Sequence, residues 1–181
     1  EAEDEAAPSA GEVDARASLM SMSGSEYLDA LQLRVYFTDV VHQLLACRDE
    51  HPVEFMHQYF RRVGAMEHVV GREYAFVSAT CWNRRAFVLS CHATFGALAL
   101  VELTVADFHQ LLMLLCPDFP KAPVDAVVHL LPRALFADAK IRFSVLATAF
   151  YVHWRFVDFF RALDAAFRQS GGGGANAAAA A

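Results

Sequence analysis

The chain has 181 residues and 20.0 kDa, with 56% hydrophobic and 20% charged residues, so it can bury enough apolar surface to exclude disorder over most of its length. A formal charge of −6 argues against a nucleic-acid module, which needs a basic face to displace counterions from phosphates. Residues 1–24 hold six acids (Glu1, Glu3, Asp4, Glu5, Glu12, Asp14) and one base, Arg16, a net of −5, so the body of the chain carries only −1 of the total. No uncharged run reaches the roughly 20 apolar residues of a membrane-spanning helix, and the acidic start has no apolar core of an export signal behind it. The four cysteines (Cys47, Cys81, Cys91, Cys116) show no paired motif and read as thiols of a reducing compartment.

Segments 1–24 and 170–181 are low in complexity and read as flexible tails. Between them the apolar period is helical. Ser23 and Glu26 form a capping box, in which each satisfies the other's backbone donor. Leu28, Leu31, Val35, Val41, Leu44 and Leu45 then mark one amphipathic helix that stops near Cys47. Pro52 opens a second helix with Phe55, Met56, Tyr59, Phe60 and Val63 on one face, and Gly64 is expected as its left-handed stop. A helical hairpin is thus expected over 25–64, followed by a linker over 65–82. Asn83 is expected to cap a helix that runs to Thr94 and breaks at Gly96. Thr104 and Asp107 form another capping pair before a helix containing Phe108, Leu111, Leu112 and Leu115, which Cys116-Pro117 ends. A helix opened at Pro123 or Val124 runs to Leu131 and stops at Pro132, and a single last helix is expected from Ser144 to Arg168. The class is all-α, because strand-like alternation never exceeds three or four residues.

Catalytic constellations are missing. Eight scattered histidines show no metal-ligand pairing, no glycine-rich phosphate loop precedes a helix, and the nucleophile-elbow pattern is absent. The chain is therefore expected not to be an enzyme, with no cofactor, no catalytic residue and no bound metal.

The hairpin at 25–64 has too little core to stand alone, and two copies packed crosswise would form a four-helix bundle with an apolar groove for a partner helix. Here the sequence resembles the regulatory-subunit (RIIa-type) dimerisation and docking family, through Tyr27-Leu28, Leu44-Leu45, Arg48, Pro52, Phe55 and Tyr59-Phe60. That resemblance implies a docking homo- or heterodimer. In residues 83–169, LVELTVADFHQLL and AKIRFSVLATAF each read as an extended triplet followed by a capped helix, like the second half of an EF-hand. Placing Leu103 and Ile141 at the central hydrophobic position puts the closing acid slot at Asp107 and Val145 and the first slot at Gly96 and Ala134. The second loop offers only Asp138 as an acid, so a degenerate pair that does not bind calcium is expected.

These two halves in this order, with REYAFVSAT (72–80) and LLCPDFP (114–120), and with Asn83-Arg84 and Phe143-Ser144 in register, resemble the centriolar satellite-associated regulators of the tubulin polyglutamylase complex. The likeness runs from Glu26 to Arg161. It implies a non-catalytic subunit that helps place a tubulin glutamate ligase on microtubules, in the cytoplasm and cytoskeleton of cilia and centrioles. A fixed structural part of the ciliary axoneme, in a radial spoke or the central apparatus, is the alternative. Phe150, Tyr151, Trp154, Phe156, Phe159, Phe160 and Phe167 surround the last helix, and large uncovered apolar surface usually marks an interface. The candidate protein-binding residues are Leu28, Leu31, Val35, Leu44, Phe55, Tyr59, Phe60, Trp154, Phe159 and Phe160; neither nucleic acid nor membrane is expected as a partner.

Overall fold

The computed structural model describes residues 10–131 and 140–171, and among these lie ten α-helices and one two-residue strand pair, as the helical period requires. The chain divides into two units, residues 1–58 and 59–181.

In the first unit, α1 (Ala10–Ser21) occupies much of the segment expected as a flexible tail. Its Ala, Glu, Leu, Met and Arg content favours helix without any packing. The capping box opens α2 (Gly24–Ala30): the Ser23 amide donates to Glu26 Oε2 at 2.8 Å, and the Glu26 amide donates to Ser23 Oγ at 3.3 Å. These bonds hold the Glu26 carboxyl below its usual range. The single helix expected from here to Cys47 is instead two, because Gln32 takes a left-handed φ of 55° and α3 restarts at Leu33–Cys47. Arg34 bridges the break, pairing with Asp29 and donating to Ser25 Oγ at 2.6 Å. Helix α3 ends on Arg48, also left-handed, whose amide donates to Leu44 O at 2.8 Å. Asp49 Oδ1 accepts from the His51 amide at 2.7 Å, an Asx turn that delivers the chain to Pro52. Helix α4 (Pro52–Gly64) begins in this unit and ends in the second, whose first residue is Tyr59; it keeps Gly64 helical, and Met66 (φ 61°) takes the left-handed stop two residues later than expected.

The second unit is built around α6. Residues 65–82, read as a linker, contain α5 (Tyr74–Ala79) with Phe76 and Val77 buried, and Val69 has no exposed surface at all. Thr80, rather than Asn83, caps α6 (Cys81–Phe95): its hydroxyl accepts from the Asn83 amide at 2.9 Å. The Asn83 side chain is a fully buried tie instead. Its amide nitrogen donates to Phe76 O at 2.7 Å, and its oxygen lies 2.8 Å from His68 Nε2. A 3₁₀ turn (Gly96–Leu98) leads to β1 (Glu102–Leu103) and then to α7 (Val105–Leu115), which opens on the expected Thr104–Asp107 box. Helix α8 (Ala122–Leu130) carries Pro123 in its first turn. Strand β2 (Ile141–Arg142) returns antiparallel to β1, with Leu103 opposite Ile141 and Glu102 opposite Arg142. The Phe143 amide extends this pairing by donating to Val101 O at 2.8 Å. Pro132, Ala134 and Asp138 lie outside the described residues.

The last helix is also two helices: α9 (Phe143–Arg155) closes at Phe156, and α10 (Val157–Gly171) follows. Helix α9 is the buried one, with Phe143, Leu146, Ala147, Phe150 and Trp154 inside. The phrases REYAFVSAT and LLCPDFP meet in this core. The Tyr74 amide donates to Asp118 Oδ1 at 2.8 Å, the Gly71 amide donates to Leu115 O at 2.7 Å, and Phe119 lies among Tyr74, Phe87, Phe150 and Trp154 with centroids 5.2–5.9 Å apart. Such ring pairs contribute roughly 0.5–1.5 kcal/mol each beyond area burial.

Substituting Asn83→Ala removes the bonds to the buried Phe76 carbonyl and the His68 ring, and each lost buried bond costs about 1–3 kcal/mol. The expected outcome in thermal unfolding is a destabilised second unit, with helicity at low temperature unchanged. Asn83→Asp, which also removes the donor to Phe76 O, is expected to be at least as damaging.

Candidate protein-binding surfaces

The predicted interface residues separate by environment. In the first unit, Tyr36 and Val40 are buried, Leu28, Val35, Leu44 and Phe55 are half-buried, and Leu31 is exposed. The sequence stripe took in Val41 and Leu45 but not Phe37, and none of the three was among the candidate binding residues, although they form the more open row on α3. Phe37, Val41 and Leu45 recur at i, i+4 and i+8 and retain 48%, 49% and 68% of their surface. The two rows are neighbours on one helix, Tyr36–Val40–Leu44 inward and Phe37–Val41–Leu45 outward. A single apolar count merged them; the i+4 spacing of 37, 41 and 45 was the available signal.

In the second unit Tyr59 is buried and Phe60 is at the edge of exposure, with the two rings edge-on at 5.3 Å. Trp154 is a core residue. It keeps 3% of its surface, stacks on Phe150 at 5.6 Å and tilts against Phe119 at 5.3 Å. Phe159 and Phe160 belong to α10 and remain open to solvent. With the helix broken at Phe156, the aromatic ring expected around one helix resolves into a buried face on α9 and an exposed stripe on α10. Beside that stripe His153 stacks on Phe160, and burial first, then the Arg161 guanidinium, holds its imidazole below the ordinary histidine range. Arg84, buried on α6, donates to Ser78 O at 2.9 Å and pairs with Asp158, tying α6 to the start of α10.

Chemistry of other kinds has little support here. Among the described residues, no group of three or more His, Cys, Asp or Glu side chains is placed to hold a metal ion. The Asp107 carboxyl is engaged by Thr104, and those hydrogen bonds hold it below its usual range. Cys91 and Cys116 are buried, which pushes each thiol up to about 12, far from the thiolate a nucleophile needs. No described helix is long and apolar enough to cross a membrane.

Trp154→Ala is expected to cost about 3–5 kcal/mol, as for other buried aromatic truncations, and to lower the unfolding midpoint of the second unit sharply. Leu45→Asp, at an exposed position, should change stability by no more than about 0.5 kcal/mol. Denaturant unfolding followed by circular dichroism checks both.

Residues 21–65 match the family model of the CSTPP1 N-terminal domain. The chain is 30% identical over 155 residues to the human centriolar satellite-associated tubulin polyglutamylase complex regulator 1, covering 82% of this chain and 46% of that protein. The mouse protein of the same name is 29% identical over 156 residues, with 82% and 47% covered, and the zebrafish (Danio rerio) one is 27% identical over 155 residues, with 82% and 46% covered. The chain thus spans about half the length of these relatives. No solved structure matches it. The resemblance carried by REYAFVSAT and LLCPDFP is borne out: over 82% of its length the chain is similar to the centriolar satellite-associated tubulin polyglutamylase complex regulators, and its residues 21–65 match the model of the CSTPP1 N-terminal domain.

Proposed function

We propose that this chain is a non-catalytic helical adaptor of a tubulin polyglutamylase complex in the centriolar and ciliary cytoskeleton, and that its first hairpin supplies the docking face. The observation that carries the proposal is the exposed row Phe37, Val41 and Leu45, with Leu31 also open, inside the segment matched by the family model. An apolar row at helical spacing suits a partner helix laid along it, with side chains as anchors at i, i+4 and i+8. The relatives are named regulators of the complex, and regulation by a subunit that holds others in place needs such a face more than it needs a reactive group. The order α3, tight turn, α4 supports a dimerisation and docking role for the hairpin, paired either with itself or with a like hairpin of another protein. In the second unit, the Leu103–Ile141 pairing supports an EF-hand-like packing unit, used as a rigid support.

Affinity purification of the full chain from ciliated cells, read by mass spectrometry, tests the proposal. Recovery of tubulin polyglutamylase subunits is expected, as is their loss, by tenfold or more (about 1.4 kcal/mol), in a folded Phe37→Asp, Leu45→Asp variant. Recovery of radial-spoke or central-apparatus proteins in their place would overturn it.

A further inference from the structure

Helix α10 carries a face that the rest of the second unit leaves open. At about 100° per residue, Phe156, Phe159, Phe160, Leu163 and Phe167 fall within one arc of roughly 100°. They retain 45%, 59%, 39%, 41% and 67% of their surface. With a phenylalanine's full area taken as roughly 200 Å², that is about 500 Å² of apolar side chain per copy, so two such faces reach the scale of about 1,000 Å² at which specific interfaces begin. This size alone names no occupant. The charges beside the stripe do.

Arg161, Asp164 and Arg168 follow one another along one flank, with Ala162 and Ala166 on the other. Within one chain, Arg168 pairs with Asp164 at 2.6 Å, and Arg161 reaches Asp158 at 3.8 Å. A parallel two-fold pair of such helices would set the charged flank of each against the alanine flank of the other, so that neither Arg161 nor Asp164 meets an opposite charge across the seam. Reversing one helix about Leu163 brings Arg161 of each copy beside Asp164 of the other, Phe159 across from Phe167, and Leu163 onto Leu163 at the two-fold axis. The alanine flanks then meet and permit close approach, and the two helix dipoles oppose each other favourably. We propose that α10 is the pairing helix of a symmetric homodimer, laid antiparallel against α10 of a second copy. This arrangement does not depend on the docking hairpin or on any polyglutamylase partner. It would present two first units from one assembly.

Light-scattering mass and sedimentation equilibrium on the full chain test the proposal. The wild type is expected at twice its 20.0 kDa at micromolar concentration. Leu163→Asp is expected to weaken association about a hundredfold or more, with helicity kept. If that variant fails to fold, charge exchange decides. Arg161→Asp alone and Asp164→Arg alone should each weaken the dimer, and the two together should restore it, which no structural role within one chain requires. In a background with Cys47→Ser and Cys81→Ser, Leu163→Cys should oxidise to a linked dimer and Ala165→Cys, on the opposite face, should not. A monomeric wild type at every accessible concentration would overturn the proposal. So would a dimer that ignores the Leu163 and charge-exchange variants and dissolves only in Leu31→Asp with Leu45→Asp, which would leave the hairpin as the pairing element.

Discussion

The second unit depends on one junction: the Asp118 carboxylate accepting from the Tyr74 amide, with Phe119, the next residue, in the middle of the aromatic core. The hydrogen bond joins segments 44 residues apart in sequence, and closing a loop of that length costs chain entropy that only long-range burial can offset. Phe119 supplies that burial, stacked on Phe87 and touching Phe150 and Trp154. The His109 ring, 2.7 Å from Phe119 O, satisfies a backbone group that the burial of Phe119 takes from water. Cys116 donates weakly to the same Asp118 carboxylate at 3.3 Å. A short, proline-bounded turn thus links α5, α6, α7 and α9. The two phrases that carried the family resemblance are the two sides of this junction, so they are structural signatures rather than reactive ones.

Helix content and the local caps were legible in the sequence because they are local properties. The Ser23–Glu26 and Thr104–Asp107 boxes, Pro52 at a helix start and Cys116 at a helix end all fall where residue chemistry placed them. The departures have a common cause: tertiary burial and non-glycine left-handed residues are invisible to periodicity. Gln32 and Met66 adopt conformations usually left to glycine or asparagine, so the break after α2 and the true stop after α4 had no compositional sign. Asn83 looks like a cap in a sequence and is one residue type that can also tie a buried backbone carbonyl to a buried ring, Phe76 O and His68 here, which only the folded neighbourhood decides. Thr80, the true cap, stood inside the segment 65–82 that the sequence pattern marked as a linker. Trp154 read as an interface residue because a helix that is apolar all round leaves burial and exposure undivided. The turn at Phe156 divides them, giving α9 the core and α10 the surface.

The candidate sites follow the same logic. The buried thiols of Cys91 and Cys116 are held away from the reactive thiolate form, while the open apolar rows lie on helices α3 and α10. Apolar surface left in solvent lowers stability and solubility and is retained where a partner covers it. The relatives are named regulators of an enzyme complex, and this chain combines a densely packed second unit with helix faces that remain largely exposed. Each row is short, about three turns, so an individual contact would be modest and an assembly would gain from using both.

Native-state hydrogen exchange at the Tyr74 and Gly71 amides tests the central junction most directly. If Asp118 and the turn around Phe119 hold the second unit together, both amides exchange only through its global opening, with the same free energy as the core amides of α6. Exchange of these two amides by local fraying, well below the opening free energy of α6, would show that the junction is peripheral and that the unit is held elsewhere.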